Sequence, residues 1–456
     1  MKMNNIFKSF SLAMVAIAAL ATTSCKDEPD AYKIADGTPS VFFIRPVSVE
    51  SSDSIITSAS MQSTLCIVGE NLKSITGLLF NDQKAVLNTS YITNNTLIVT
   101  IPNGIPDKVT DKIYMATNSR DTITYDFHVI IPSPIVTSMS NEWAEPGDEV
   151  TIVGDYFLDY EDYPLTVNFG DTEIPRSAIK SISKTKIVFT LPDGMPQDKV
   201  SVTSIYGTTE GAFKYRDNRG ILFDFDTACK TGNVLGNNGW HPREIVEDET
   251  SLSGKYLILG GAAMGADGGW NDGNFSFEYW AGNWGNPEDY SWCPRISDLA
   301  DFTDFENLNL KFEMNIPADN AWSAAPMQIY FGSVTQISCT AADVKDIYAN
   351  TLAGCNNTFF HTQGTLSRAL YMPWKDTEDL LYHTDGQWIT VTIPLTNFIY
   401  DYDGNKITST LQSVADFGSF NIFVIKGSYN DKSVLPDGVE CNPIIKIDNI
   451  RVVPNN

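Results

Sequence analysis

Two stretches of this chain repeat one order of signals: TLCIVGENL, GLLFND and TLIVTIPNGIP, then EVTIVGDYF, LTVNFGD and KIVFTLPDGMP. Short runs rich in Val, Ile and Thr, separated by Gly, Pro, Asn and Asp and lacking helical periodicity, constrain each copy to a small antiparallel sandwich. Gly69 and Gly154 stand 85 residues apart and Pro102 and Pro192 stand 90 apart; the insertion DYEDYP at residues 159–164 absorbs the difference.

From about residue 218 the composition changes. Trp143 precedes that point, and the other eight of the nine tryptophans follow it. ILFDFD opens this part and IIKIDNIRVV closes it; between them LNLKFEMNIP, MQIYFG, WITVTIPL and FNIFVIKG read as strands bounded by turn residues. Strands at such loose spacing fit one large jelly-roll-like sandwich with long loops, so the expected fold class is all-β throughout.

The first residues, MKMNNIFKSFSLAMVAIAALATTSC, place Lys2 and Lys8 ahead of a short apolar run and end in small residues before Cys25. That pattern is a signal peptide, too short in its apolar part to span a bilayer comfortably. The small residues leading to Cys25 resemble a bacterial lipoprotein processing site, although Thr22 stands where leucine is usual. The resemblance implies that Cys25 is lipidated and that several acyl chains tether the body to a membrane. Lys-Asp-Glu-Pro-Asp follows Cys25 and resembles the address of lipoproteins exported to the outer face of the outer membrane; a plain solvated linker is the alternative.

The VG-[ED]-x-[LF] signature followed by a proline-closed strand resembles the IPT/TIG type of immunoglobulin-like domain. The opening Phe-Asp-Phe-Asp and closing Ile-Asp-Asn-Ile-Arg strands resemble carbohydrate-binding sandwich modules. The expected organisation is a signal peptide at 1–24, an acidic tether at 25–38, IPT/TIG-like domains at 39–132 and 133–216, and a glycan-binding sandwich at 218–456. The whole resembles a surface glycan-binding lipoprotein of a polysaccharide-utilisation system of the Sus type. The resemblance implies capture of polysaccharide beside a SusC/SusD-like transporter, on the outer membrane and facing the exterior.

Charge excludes some partners. With 31 Lys and Arg against 56 Asp and Glu the chain carries −25, which repels nucleic acid and anionic membrane surfaces. Removing Cys25 leaves Cys66, Cys229, Cys293, Cys339, Cys355 and Cys441, too sparse for a disulfide scaffold and without a zinc-like spacing to histidine. Cys66, inside TLCIVG, is expected as a small buried hydrophobe.

Sugar recognition uses flat aromatic faces against C–H groups, with a few polar side chains for hydroxyls. Alternation in NFSFEYW puts Phe275, Phe277 and Tyr279 on one face and Ser276, Glu278 and Trp280 on the other. The first set suits the core and Trp280 the outside, while a bulge before Tyr279 would exchange it with Trp280, so both are candidates. Trp284 and Trp292 follow in a loop rich in Gly, Asn and acids, and Trp240 in GNNGWHP and Trp270 in DGGWNDG sit between turn residues. In MQIYFG, Tyr330 shares the polar face of Gln328. The expected platform thus draws on Trp240, Trp270, Tyr279, Trp280, Trp284, Trp292 and Tyr330, each of which packing alone would also explain.

No cofactor is required by this reading. Asp224, Asp226 and Asp448 lie on the opening and closing strands, neighbours in sandwich modules of this type, and a structural calcium or plain solvation accounts for them. A glycoside hydrolase needs two carboxylates placed across the scissile bond; no recognisable catalytic motif singles out such a pair. The four histidines are not placed with a serine or cysteine in a nucleophile motif, and phosphate-binding glycine loops are absent. The expectation is a binder that is not an enzyme. A hydrolase, or an adhesin binding protein through residues 39–216, is the alternative.

Overall fold

The computed structural model describes residues 32–118, 121–227, 241, 243–282, 288–337, 344–352, 359–360, 362–426 and 433–455. Cys25 and the leader lie outside these residues, as do Trp240 and Trp284. Strands dominate, helices among the described residues are single turns, and no described helix is long and apolar enough to cross a membrane. The contacts divide the chain into two compact units, residues 1–132 and 133–456.

The first unit is a sandwich of a three-stranded sheet, Ser40–Pro46, Thr64–Glu70 and Thr96–Thr100, with a four-stranded sheet built on Ile75–Phe80 and Lys112–Thr117. Period-two alternation turns Leu97 and Val99 inward, where they join the buried Ile44, Leu65, Ile67, Leu78, Phe80 and Met115. Cys66 is buried with a free thiol.

The second unit begins with the matching sandwich. Its sheets are Ile135–Met139, Glu149–Asp155, Lys186–Thr190 and Ile179–Ile182 on one side, and Thr172–Glu173, Thr166–Phe169, Lys199–Ser204 and Gly207–Lys214 on the other. Val150, Ile152, Val167, Phe169, Phe189, Val200 and Tyr215 fill the space between them.

The glycine of the repeated signature has one cause in both copies. A register shift in the preceding strand pushes a carbonyl against the backbone, so a Cβ on Gly69 would lie 1.9 Å from the Ser40 oxygen. A Cβ on Gly154 would lie 1.8 Å from the Ile135 oxygen. Only a residue without a side chain tolerates that approach.

The rest of the second unit is a larger sandwich. One sheet runs Ile245–Val246, Tyr256–Gly260, Ile444–Pro454, Leu308–Asn315 and Ile389–Pro394, with Ile221–Phe223 also on the closing strand. The other runs Ser276–Tyr279, Ser419–Val424, Met327–Gly332 and Ala369–Tyr371. Phe223, Phe277, Ile329, Phe331, Phe420, Ile422, Ile445 and Ile447 form the core between the sheets.

A buried polar cluster ties this sandwich to the immunoglobulin-like part of the same unit. The Glu142 carboxylate accepts from Lys311 Nζ at 2.6 Å and Arg451 Nη2 at 3.0 Å, while Arg451 Nη1 donates to Glu313 at 2.7 Å. The Glu142 amide donates to Thr390 Oγ1 at 2.7 Å, and the Thr390 amide to the Ser140 oxygen at 2.9 Å. All four charged side chains are buried, and burial pushes the Glu313 carboxyl up to about 7 against the opposing pull of Arg451.

Candidate functional site

The second sheet of the large sandwich has two faces, and alternation divides its side chains between them. Phe277, Tyr279, Ile329, Phe331, Phe420 and Ile422 face the central core. Trp280, Tyr330, Phe423 and Ile425 point the other way, where Ile337, Phe359, Leu366 and Tyr402 cover them in a separate aromatic cluster. The register pairs Glu278 and Tyr330 with Asn421 from either side, and Ser276 and Gln328 with Phe423.

Two expectations about exposure are corrected here. Tyr279 is buried in the main core with its hydroxyl donating to the Pro294 oxygen, and no bulge brings it outward. Trp280 and Tyr330 do lie on the opposite face, but Trp280 is 3% exposed and Tyr330 0%. The physical reason is the cover of Phe359, Tyr402 and Leu366, which arrives from distant loops that alternation within a strand does not register.

A cation organises this second layer. Arg368 is buried, its guanidinium carbon 4.8 Å from the Tyr330 ring centre, 5.5 Å from that of Phe359 and 5.7 Å from that of Tyr402. Its Nη1 donates to Gln328 Oε1 at 2.9 Å, and Gln328 Nε2 in turn donates to the Tyr402 oxygen at 3.1 Å. Burial lowers the guanidinium from its usual value, and the charges of Asp401 and Asp403 and the two tyrosines act against that shift. A desolvated guanidinium over ring faces is worth about 2 kcal/mol, which favours this arrangement of the rings as a floor.

Trp270 stands on that floor. Its ring stacks on Phe360 at 5.5 Å and 12°, meets Phe359 edge-on at 5.1 Å and 80°, and approaches Phe423 at 6.2 Å. Phe359 itself lies 4.2 Å from Phe423 and 4.9 Å from Tyr402. Despite these neighbours Trp270 remains 48% exposed.

The loop that presents Trp270 is shaped by Gly268, whose φ is +58° and whose Cβ would fall 2.5 Å from the Ala324 oxygen. Its amide donates to the Gly265 oxygen at 2.8 Å, and its oxygen accepts from the Lys426 amide at 3.0 Å. The glycines read as turn residues in the sequence are therefore the reason the tryptophan is held outward.

Beside Trp270 lies an open cleft of about 470 Å³, lined by Asp267, Gly269, Tyr402, Ile425, Lys426 and Ser433 as well as the indole. An aromatic wall joined by a carboxylate, an ammonium and hydroxyls is suited to C–H faces and hydroxyl edges together. Lys426 also pairs with the Asp437 carboxylate.

Trp292 is 38% exposed, on a turn closed by its amide donating to the Asp289 oxygen at 3.0 Å, and it does not line this cleft. Sequence reasoning missed Phe359, Phe360, Tyr402 and Arg368. The adjacent phenylalanines in NNTFFHT, apolar rings inside a polar loop, carried the same signal as the loop tryptophans.

The three acids read as a structural calcium site or as plainly solvated groups are engaged by protein donors. Asp224 accepts from the amides of Asp226 and Thr227 and from Thr227 Oγ1, and Asp226 accepts from the Lys255 amide. Asp448 is buried, accepts from the Asn449 amide and Ser253 Oγ, and is pushed up to about 9 by burial. Among the described residues no group of three His, Cys, Asp or Glu side chains is placed to hold a metal.

Comparison with known proteins follows this division of the chain. Residues 215–454 match the family model for the surface glycan-binding protein B xyloglucan binding domain, and residues 134–216 match the IPT/TIG domain. The fold is similar to the crystal structure of the surface glycan-binding protein PbSGBP-B from Prevotella bryantii, with a TM-score of 0.81 and 61% identity. That likeness covers 92% of this chain and 100% of the other. An IPT/TIG domain-containing protein of Bacteroides ovatus is 27% identical over 158 residues, 33% of this chain; the chain spans 31% of the length of that curated relative. On the family model and the 61% identity, the chain belongs to the surface glycan-binding protein B family.

Proposed function

We propose that this protein captures polysaccharide at the cell surface without cleaving it, through the cleft beside Trp270. The observation that carries the reading is an indole left 48% exposed on a buried aromatic floor, at the edge of an open cleft with hydrogen-bonding groups. Such an arrangement binds by stacking and hydroxyl contacts, and its open shape suits a polymer passing through rather than a small molecule enclosed.

The family description names xyloglucan, and a β-glucan backbone of this kind is the proposed ligand class. Lipidation at Cys25 places the body on the outer face of the outer membrane, beside the transporter pair that the Sus-type resemblance implies. Weak individual contacts suffice there, because many equivalent sites on one polymer raise the effective concentration.

Calorimetry of the chain from residue 26 with xyloglucan and mixed-linkage glucan tests the proposal. Binding that Trp270→Ala reduces at least tenfold supports it; unchanged affinity in that variant overturns the site. New reducing ends on incubation with either polymer would overturn the non-catalytic reading.

A further inference from the structure

The two repeated sandwiches differ at one sheet edge. In the second copy, Ile179–Ile182 pairs antiparallel with Lys186–Thr190 and closes the sheet. In the first, the corresponding segment meets the strand Thr96–Thr100 at its start, through the Ile92–Leu97 bridge and the Thr93 amide donating to the Thr96 oxygen at 2.8 Å, so among the described residues the rest of that strand remains an edge. The Gly69 amide donates to the Asn95 oxygen and the Ile101 amide to the Ser63 oxygen, which fixes the alternation of the ladder. Leu97 and Val99 therefore spend their main-chain groups on the neighbouring strand, while those of Ile98 and Thr100 turn outward.

An open cleft of about 720 Å³ runs along this edge. Gln62, Thr64, Asn88, Tyr91, Thr100 and Asn103 line it. Tyr91 is 56% exposed and Val86, at the wall, 88%. Asn88 Oδ1 is engaged by the Ser90 amide at 3.0 Å, which orients its amide group, and the Thr64 and Thr100 hydroxyls meet at 2.9 Å. Among the described residues no carboxylate lines the cleft and Lys84 is its one ionisable wall residue besides Tyr91, in a chain that carries −25.

We infer that this edge cleft of the first sandwich is a second polysaccharide site, taking a neutral glucan chain against Tyr91. The inference rests on the proposed polysaccharide-capturing function. Three amides, two hydroxyls and an exposed phenol ring match a neutral polyhydroxylated chain, with the outward main-chain groups of Thr100 and the Ile98 oxygen as further partners for hydroxyls. A basic peptide finds no acid there, and the acid-poor lining departs from the charge of the chain as a whole. Two sites on one polypeptide raise the residence of a long polymer beyond what either gives alone.

Affinity electrophoresis through xyloglucan and mixed-linkage glucan, with the chain from residue 26, tests this inference. Five proteins are compared: wild type, Tyr91→Ala, Trp270→Ala, the double variant and, as the conservative control, Tyr91→Trp. The expected result is a weakening of roughly threefold or more by Tyr91→Ala, loss in the double variant of the retardation left by Trp270→Ala, and near wild-type behaviour of Tyr91→Trp. Tyr91 is exposed, so its truncation leaves the fold intact. If Tyr91→Ala matches its parent in both backgrounds the second site is overturned, which is also the result expected of an edge that pairs a protein strand. Wild-type retardation persisting in Trp270→Ala overturns the first site instead, and a wild type that neither glucan retards overturns both.

Discussion

Arg451 Nη2 donates to Glu142 at 3.0 Å across 309 residues of sequence, and both side chains are buried. The contact joins an immunoglobulin-like sandwich to the closing strand of the large one. Lys311 and Glu313 complete the set, two positive and two negative groups sharing one desolvated space. Removing Glu142 leaves two buried cations short of a partner. Glu142→Ala is expected to cost about 3–5 kcal/mol, read as a fall in the urea midpoint, with Glu142→Gln milder because it still accepts hydrogen bonds.

Two tryptophans close in sequence are expected to separate binding from stability. Trp270→Ala removes an exposed ring and should weaken glucan affinity by about 2 kcal/mol, roughly thirtyfold, with little change in Tm. Trp280→Ala opens a void in a buried cluster and should cost about 3–5 kcal/mol of stability. Calorimetric titration and thermal melts of the two variants, side by side, check the division.

The repeated glycine admits a sharper test. In Gly154→Ala the new methyl group has no space beside the Ile135 oxygen, so the strands must part. Overpacking of this kind costs about 1–3 kcal/mol or more, and Gly147→Ala makes the comparison, since its Cβ would meet nothing within 4 Å although its φ is +97°. Gly154→Ala should lower Tm further than Gly147→Ala does.

Asp448 makes stability depend on pH. Its folded value near 9 lies above the ordinary carboxylate range near 4, so the native state holds a proton that the unfolded chain releases. Its contribution is fully present below about 4 and is lost as pH rises through about 9. Asp448→Asn keeps the acceptor for Asn449 and supplies a neutral amide toward Ser253. The Tm of this variant relative to wild type should therefore rise between pH 5 and pH 9; a constant difference would count against a protonated Asp448.

Much of the architecture was legible because its signals are local. Gly69 and Gly154 mark the same strained approach in both sandwiches, and strand alternation assigned Phe277, Ile329 and Tyr330 to their faces. Burial of a face was not legible. Trp280 stands on the side that alternation gave it, yet it is covered by Phe359 and Tyr402, about 80 and 120 residues away in sequence. Trp270 was legible as an exposed ring because Gly268 and Gly269 precede it, whereas the Arg368 cage beneath it combines side chains from the strand Met327–Gly332 and from distant loops. The tie through Glu142 was invisible for the same reason.

The near-parallel seat of Trp270 on Phe360 has a directional consequence. A ring leaning on protein has only its remaining surface for a ligand, so under the proposed function the platform would read a glucan ribbon from one side. The cleft is therefore expected to accept a backbone whose branches project away from the indole while rejecting one whose branches fall beneath it.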